Sequence, residues 1–328
     1  MEFGLILAGA LLLDMLFGDP LTPWHPVALI GRTALWLEPI FRRIIRWSFL
    51  AGAACSLTVY GLFAVLPGML VLGAMLLNSW LALCMTAVIV YFSIAPRCLC
   101  EHAAVVSRNL KAGNLEGARA SIAMIVSRDP NALDERGIIR SGVESLGENV
   151  ADGVTAALFY AAIGWIFGGV IGCAVTVWLY RTVNTLDATF GYKNERYRHF
   201  GTFPARTDDL LNFIPARLTP IALALAAGLL GLRPLNALRC AWRDHGKHPS
   251  PNSAWGMASF AGALGVQLGG KTKYATGWDE YPFWGNNLEP LTVKHLDKAC
   301  RLVWGTTVIF AIMMILLSLA IVRLKGML

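Results

Sequence analysis

The chain has 328 residues, of which 56% are hydrophobic and only 15% charged, and its mean hydropathy is +0.55. This composition is too apolar for an ordinary soluble domain and predicts an all-α, polytopic integral membrane protein. The net charge of +7 comes from basic residues that lie in blocks between apolar runs, as in cytoplasmic loops of membrane proteins, so nucleic acid is excluded as the expected partner.

The first apolar run covers residues 3–17 and is followed by Gly18-Asp19-Pro20. It has no basic region before it and no small-residue cleavage site after it, so we expect a retained membrane helix. Asp14 lies inside this run, and a carboxylate within a membrane helix is a candidate functional residue. The alternative for Asp14, and for Asp19 and His25-Pro26 beyond the run, is capping or an interfacial position.

Five further apolar runs follow, and polar stretches too long for simple turns separate them. The runs cover residues 47–66, 69–95, 154–179, 218–232 and 302–322. A membrane-spanning helix needs roughly 20 residues, so the first and fifth of the six runs are short. We expect the polar stretches to form the active site of a single membrane-embedded catalytic domain over residues 1–328. These stretches lie at 96–153, 180–217 and 233–301.

The basic residues predict the orientation in the membrane. If each run is one span and the N terminus lies outside, most Lys and Arg side chains fall inside, as the positive-inside rule requires. The stretch 180–217 would then lie outside, although it is basic and rich in candidate catalytic groups. We therefore expect Gly164 and Gly168-Gly169 to break the run 154–179 into a re-entrant hairpin, which is tolerated where its backbone is buried in protein.

Residues 98–127 carry apolar side chains at helical spacing, such as Leu99 and Ala103. The sequence Lys111-Ala112-Gly113-Asn114 interrupts this pattern, and a second helical pattern begins at Leu115. We therefore expect a helical hairpin on the cytoplasmic side of the membrane.

Three carboxylates at a spacing of four residues follow this hairpin, namely Glu144, Glu148 and Asp152. On a helix they would share one face, where like charges repel, so a cation has to compensate them. One candidate is Mg²⁺ held by a few carboxylates together with substrate phosphates. The other is Arg140, one turn earlier, which would make the cluster an ordinary solvated helix face.

The stretch 180–217 combines cations, amides and adjacent carboxylates. This mixture suits phosphoryl transfer, in which Lys or Arg neutralises phosphate oxygens and a carboxylate-bound Mg²⁺ bridges them. The alternative is a basic loop that binds anionic lipid head groups, although the intermingled acids argue against a purely basic anchor. The candidate residues are Asn184, Asp187, Lys193, Arg196, Arg206, Asp208 and Asp209.

Two further motifs lie in the stretch 233–301. The two prolines of His248-Pro249-Ser250-Pro251-Asn252 stiffen a loop that can fix its terminal His and Asn side chains, and a plain turn is the alternative. Residues 265–272 match the P-loop pattern G-x-x-x-x-G-K-[ST]. A P-loop follows a strand and opens a helix, whereas residues 258–268 look helical, so we expect the match and its Lys271 to be accidental.

Taken together, these segments resemble the adenosylcobinamide-phosphate synthase family of cobalamin biosynthesis. The matching motifs follow one another in order from Asp14 to Gly270 and are strongest in the stretch 180–217. They are Asp14, Gly18-Asp19-Pro20, His25-Pro26-Val27, Ile30-Gly31, Ser127-Arg128-Asp129, Glu144, Glu148-Asn149, Asp152-Gly153, Asn184-Thr185-Leu186-Asp187, Gly191-Tyr192-Lys193-Asn194, Tyr197, Phe200-Gly201, Asp208-Asp209, Asn212, Pro215-Ala216-Arg217, His248-Pro249-Ser250-Pro251-Asn252, Ala261-Gly262-Ala263-Leu264 and Gln267-Leu268-Gly269-Gly270. The chain departs from the family at Thr155-Ala156-Ala157, where a proline is expected, and at Ala254 and Gly256, where Gly and Pro are expected.

The resemblance implies an ATP-dependent acid–amine ligase that joins adenosylcobyric acid to aminopropanol or aminopropanol phosphate. It also implies ATP and Mg²⁺ as cofactors, the cytoplasmic (inner) membrane as location with the active site facing the cytoplasm, membrane lipid as surroundings, and other late B12-pathway membrane enzymes as candidate partners. The main alternative is a non-enzymatic membrane sensor or regulator that shares this fold, and a lipid-modifying transferase is a weaker one.

Within this reaction we assign residue roles as hypotheses. The residues expected to act in catalysis are His248, which would deprotonate the amine, Asn252 and Asp187. The residues expected to bind substrate or phosphate are Lys193, Arg196, Arg206 and Asn184. The residues expected to hold the metal are Glu144, Glu148, Asp152, Asp208 and Asp209.

Overall fold

A computed structural model describes residues 1–20, 22–126, 128–192, 194–274 and 277–327 of the chain. Within these residues the fold consists of α-helices, short turns and one antiparallel β-hairpin, which confirms the predicted all-α class. The helices are α1 (Glu2–Phe17), α2 (Pro26–Ile44), α3 (Ser48–Leu77), α4 (Ser79–Tyr91), α5 (Pro96–Lys111), α6 (Leu115–Ile122), α7 (Glu135–Val150), α8 (Ala156–Phe190), α9 (Thr202–Leu211), α10 (Phe213–Leu229), α11 (Pro234–Asp244), α12 (Ser253–Leu264) and α13 (Lys294–Met327). The hairpin pairs β1 (Gln267–Tyr274) with β2 (Gly277–Gly285).

The chain divides into two compact units, each assembled from separate segments. Unit 1 comprises Met1–Ala95, Ala156–Asn212 and Met313–Leu328, and unit 2 comprises Pro96–Thr155 and Phe213–Ile312. Every boundary between the units falls within a helix or directly beside one. No change of composition marks such boundaries in the sequence, and the single membrane-embedded catalytic domain over residues 1–328 stays a prediction.

Four segments of the described chain are long and apolar enough to cross a membrane, namely Ser48–Leu77, Ser79–Lys111, Glu135–Phe190 and Lys294–Lys325. A fifth is added if α9 and α10 are counted as one bent span. The multi-pass membrane character is thereby confirmed. The first predicted run is too short to cross the hydrocarbon core as a straight helix. The 16 residues of α1 extend about 24 Å at 1.5 Å per residue, whereas the core is roughly 30 Å thick.

The break between the second and third apolar runs lies further along the chain than predicted. The sequence places it at Pro67-Gly68, but α3 continues through Pro67 and ends at Leu77. The chain turns at Asn78 instead, whose Oδ1 accepts a hydrogen bond of 2.8 Å from the Trp80 N–H and so caps α4. Proline is tolerated inside long apolar helices, and the capping side chain decides where the next helix begins.

The predicted break in the fourth run is confirmed. Gly168 and Gly169 interrupt α8 with non-helical backbone angles, and the φ of +57° at Gly169 is a conformation that glycine adopts readily. The chain reverses at this point, and the segments before and after it lie side by side. Thr176 Oγ1 donates a hydrogen bond of 2.7 Å to the C=O of Tyr160, and the Tyr160 ring stacks on Tyr180 at 5.1 Å. A re-entrant course of this hairpin through the membrane stays a prediction.

Unit 2 contains the predicted helical hairpin, in which Asn114 caps α6 by accepting a hydrogen bond of 2.8 Å from the Gly117 N–H. Beyond it, α7 and α12 cross in close contact. A Cβ on Gly256 would lie 1.9 Å from the C=O oxygen of Gly147, and one on Gly147 would lie 2.9 Å from the Met257 Cα. Glycine at both positions therefore lets the two helices approach, and this contact positions the candidate site.

Candidate active site

A cavity of about 240 Å³ lies in unit 2, with walls from α7, α12 and the β-hairpin. The side chains that give it polar and aromatic character include Arg128, Glu144, Glu148, Asn149, His248 and Trp284. Glu144, Glu148 and His248 are residues that the sequence predicts for metal binding or catalysis. The fold therefore brings two distant parts of the sequence together in one cavity.

Glu144 is buried and has strong partners. Its carboxylate pairs with the Arg128 guanidinium, and its Oε1 accepts a hydrogen bond of 2.6 Å from the Gly269 N–H. Arg140, the counter-cation suggested by the sequence, donates instead to the C=O groups of Gly269 at 2.7 Å and Lys271 at 3.0 Å. Arg128, from the segment after α6, is therefore a partner of this carboxylate that the sequence does not suggest.

Glu148 is half-buried, and its carboxylate makes no hydrogen bond or ion pair with another described residue. Its neighbour Asn149 donates through Nδ2 to the Ser145 C=O at 2.8 Å, which leaves the amide oxygen as an acceptor. No three His, Cys, Asp or Glu side chains of the described chain cluster closely enough to hold a metal by themselves. A carboxylate and an amide oxygen still suit Mg²⁺, which usually completes its shell with water and substrate phosphates.

Asp152, the third of the predicted carboxylates, lies beyond the end of α7. α7 ends at Val150, and residues Ala151–Thr155 form a π turn. Asp152 is not among the described residues that line the cavity, and its role as a metal ligand stays a prediction.

His248 lines the cavity as part of an aromatic group. Its ring stacks on Tyr281 at 5.8 Å and lies 6.0 Å from the ring of Trp284. Its Nδ1 accepts a hydrogen bond of 3.1 Å from the Ser250 N–H, and a neutral imidazole that accepts at Nδ1 carries its proton on Nε2. In this tautomer Nε2 is a hydrogen-bond donor, whereas the general base predicted from the sequence needs a free Nε2 lone pair.

The β-hairpin beside the cavity depends on Gly269 and Gly270, which have φ of +88° and +84°. A Cβ on Gly269 would lie 2.4 Å from the Pro282 C=O oxygen, so no larger residue fits there. Trp284, on the partner strand, is buried, and its indole N–H has no acceptor among the described residues. A ligand oxygen in the cavity is a suitable acceptor for this donor.

The P-loop match in this hairpin does not form a P-loop, as the sequence context predicts. Gly265 ends α12 in the left-handed conformation, and the rest of the pattern continues into β1. A helix thus precedes the motif and a strand follows it, which is the reverse of a phosphate-binding loop. The Lys271 Nζ lies 4.9 Å from the centre of the Trp278 ring, where it makes a cation–π contact.

A cluster of charges that the sequence interpretation missed fastens the hairpin to α11. Asp244 is fully buried and accepts hydrogen bonds from Arg243 at 2.6 and 2.7 Å, from Lys247 at 2.7 Å and from the Gly285 N–H at 2.9 Å. Burial by itself would raise the pKa of this carboxyl, but these donors outweigh burial and hold the pKa at about 2. The only sequence signal is the local pattern of two cations around one acid.

In unit 1, Asp208 lies at the centre of a polar network. It is buried and accepts hydrogen bonds from the side-chain amides of Asn184 at 3.2 Å and Asn212 at 2.9 Å. The Tyr180 hydroxyl donates to the Asn212 Oδ1 at 2.9 Å and extends the network. Asp209 lies on the same helix and pairs with Arg206 at 3.8 Å. The fold thus gathers four of the predicted residues of this stretch in unit 1.

Arg196, predicted to bind phosphate, is engaged in a different cluster of unit 1. It contacts the buried Glu38 at 2.8 and 3.0 Å, and Arg42 contacts the same carboxylate at 2.8 Å. Burial would raise the Glu38 pKa, but hydrogen bonds from Arg196 and Arg42 outweigh it, and the pKa lies below its usual value. Glu38 was not predicted, although its spacing of four from Arg42 is a recognisable signal.

The remaining predicted residues are placed as follows. Asp187 faces a glycine, because a Cβ on Gly191 would lie 2.2 Å from its Oδ1, and Lys193 lies outside the described residues. Asn252 is buried at the start of α12, 3.5 Å from an Arg217 nitrogen.

Two candidate functional residues near the N terminus, Asp14 and His25, also lie in unit 1. Asp14 is buried in α1. His25 caps α2 by accepting from the Val27 N–H at 3.3 Å, and it pairs with Asp19 at 2.7 Å, as the capping interpretation predicts.

Comparison with known proteins identifies the family of the chain. The model of the CobD/Cbib protein family matches residues 7–303. The chain belongs to this family. It is 39% identical over 311 residues to a cobalamin biosynthesis protein CobD of Leptospira interrogans, covering 95% of this chain and 96% of that protein. It is 40% identical over 304 residues to a CobD of Geobacter metallireducens, covering 93% of each.

A relative named CbiB matches over a similar length. The cobalamin biosynthesis protein CbiB of Salmonella arizonae is 36% identical over 310 residues, covering 91% of this chain and 92% of that protein. No solved structure matches the chain significantly. Membership over nearly the whole length confirms the predicted resemblance and indicates a role in cobalamin biosynthesis.

Proposed function

We propose that the chain is an ATP-dependent amide ligase that joins adenosylcobyric acid to aminopropanol or its phosphate ester, giving adenosylcobinamide or adenosylcobinamide phosphate. The observation that carries the proposal is the cavity in which Glu148, His248 and Trp284 meet, in a chain of the cobalamin-biosynthesis family. We further propose that this multi-pass protein lies in the cytoplasmic membrane with its site facing the cytoplasm, where ATP is available.

The reaction needs two displacements because a carboxylate is a poor acyl donor. In the first, a carboxylate oxygen of adenosylcobyric acid attacks the γ-phosphorus of ATP, and ADP leaves. In the second, the amine nitrogen attacks the carbonyl carbon of the acyl phosphate, inorganic phosphate leaves, and the nitrogen loses a proton. Negative charge develops on oxygen atoms in both steps, so preorganised hydrogen-bond donors and cations accelerate them.

The cavity residues supply such groups. The Nε2–H of His248 and the indole N–H of Trp284 can donate to anionic oxygens, and Arg128 compensates the negative charge of Glu144. Glu148 and the Asn149 amide oxygen are the residues that would hold Mg²⁺, which neutralises phosphate charge when bound. Asp208, Asp209, Arg206 and Asn184 of unit 1 are proposed as a further group of substrate or metal ligands.

The experiment supplies membranes containing the protein with adenosylcobyric acid, Mg·ATP and either aminopropanol or its phosphate. We expect amide product together with ADP and phosphate, and loss of turnover when Mg²⁺ is chelated. Glu148→Gln should lower turnover on the order of 100-fold. Glu280→Gln, which changes an exposed glutamate of the β-hairpin, is the matched control and should leave turnover unchanged.

An inactive wild-type protein, with its folding and all substrates verified, would refute the ligase and favour the sensor or regulator. An active Glu148→Gln variant would keep the ligase but remove this cavity as its metal site.

A further inference from the structure

Unit 2 holds a second cavity that the proposed reaction does not use. It has a volume of about 360 Å³ and is walled by apolar side chains of α10 and α11 together with a few polar groups. These groups are the guanidinium groups of Arg217 and Arg239 and the indoles of Trp242 and Trp255. No carboxylate is among the described residues that line it, so its charge is positive.

The positive groups of this cavity lack counter-ions in the described chain. Arg217 stacks on the Phe213 ring at 3.4 Å and donates to the Phe213 C=O at 2.6 Å, but it pairs with no described carboxylate. Arg239 is exposed and makes no hydrogen bond or ion pair with a described residue. Trp255 is 3% exposed, and its indole N–H has no acceptor among the described residues. An anionic group with several oxygens would satisfy all three.

The surface around the cavity is apolar. α11 exposes Leu235, Leu238 and Trp242 at spacings of three and four, with Trp242 75% exposed, while its opposite face is buried. α10 belongs to the candidate fifth span. It exposes Ile221 and Leu225, which follow the cavity residue Arg217 by four and eight residues. Tryptophan and arginine beside exposed aliphatic side chains are typical of the membrane–water interface.

We propose that this cavity binds the head group of an anionic phospholipid. The phosphate would lie between Arg217 and Arg239 and accept a hydrogen bond from the Trp255 indole, and the acyl chains would lie along the exposed faces of α10 and α11. The positive, carboxylate-free lining favours an anionic over a zwitterionic head group, and the apolar surroundings favour a lipid over a soluble anion. This inference concerns binding and is independent of the ligase reaction.

The test is native mass spectrometry of the full-length protein in detergent, titrated with phosphatidylglycerol or phosphatidylcholine of identical acyl chains. We expect preferential retention of phosphatidylglycerol. One arginine near an anionic lipid contributes about 1 kcal/mol, or about fivefold in affinity, so Arg239→Gln should weaken this binding about fivefold and the double variant with Arg217→Gln about 30-fold. Arg108→Gln, an exposed arginine of α5, is the matched control.

Arg239→Gln is the more informative single variant, because this exposed side chain makes no hydrogen bond or ion pair with a described residue and its removal should not disturb folding. Thermal unfolding of each variant checks this point. Equal binding of the two lipids, or unchanged phosphatidylglycerol affinity in both variants, would overturn the proposal. Displacement of the lipid by excess inorganic phosphate would assign the cavity to free phosphate and overturn it as well.

Discussion

Replacing Asp244 by asparagine is expected to loosen the hairpin that bears Gly269 and Trp284. The carboxylate joins Arg243, Lys247 and the Gly285 N–H, so it links the end of α11 to the end of β2. Its pKa of about 2, against an ordinary value of 3.8, corresponds to about 2 kcal/mol of folding free energy, at 1.36 kcal/mol for each tenfold change in proton affinity.

The pH dependence follows from the direction of this difference. Because the pKa is lower in the folded protein, the stabilisation is complete above the unfolded pKa near 4 and is lost as the pH falls towards 2. Thermal unfolding in detergent, followed by tryptophan fluorescence, should show Asp244→Asn several degrees less stable than wild type at pH 7. Asp279→Asn, an exposed residue of β2, is the control. The reasoning is refuted if the Asp244→Asn deficit is absent at pH 7 or is equally large at pH 3.

Four further changes test the hairpin and the buried charges. Gly269→Ala should abolish turnover, since its Cβ would lie 2.4 Å from a carbonyl oxygen, whereas Gly246→Ala has no atom within 4 Å and should be silent in the same assay. Glu38→Gln should cost about 3 kcal/mol at neutral pH, and the deficit measured by thermal unfolding should shrink as the pH falls below the ordinary pKa of 4.5. Glu144→Gln should lower the unfolding temperature by weakening the link to the hairpin. Lys271→Ala should leave turnover within about twofold of wild type, whereas an inactive Lys271→Ala variant would support the P-loop interpretation.

Local patterns in the sequence predicted much of the fold. The turn at Gly168-Gly169 follows from two adjacent glycines inside an apolar run, and the α5–α6 break follows from Gly113 and Asn114, because each depends on the conformational preferences of a few neighbouring residues. The predicted end of α3 is wrong because two local signals compete in this part of the sequence. Pro67 is a helix breaker and Asn78 is a helix cap, and the helix passes through Pro67 and ends before Asn78.

Contacts between distant residues could not be predicted in this way. Nothing local to Glu144 points to Arg128, and the N–H of Gly269 reaches the same carboxylate only because the hairpin lies against α7. The sequence also gives no signal for the π turn after α7, since the pattern of carboxylates continues through it to Asp152. The candidate residues were therefore found by chemical type, while their grouping into one cavity required the fold.

The pairing of charges within the cavity gives its two glutamates different tasks. Glu144 is neutralised by Arg128 and bound to the Gly269 N–H, so it serves to hold the hairpin in place and has little capacity left for a ligand. Glu148 has no hydrogen-bond or ion-pair partner among the described residues and lies in the same cavity as His248 and Trp284. A site for a phosphorylated substrate needs donors for the phosphate oxygens and an acid that binds a shared cation, and excess negative charge would repel the substrate. Neutralising one glutamate while leaving the other available meets both needs.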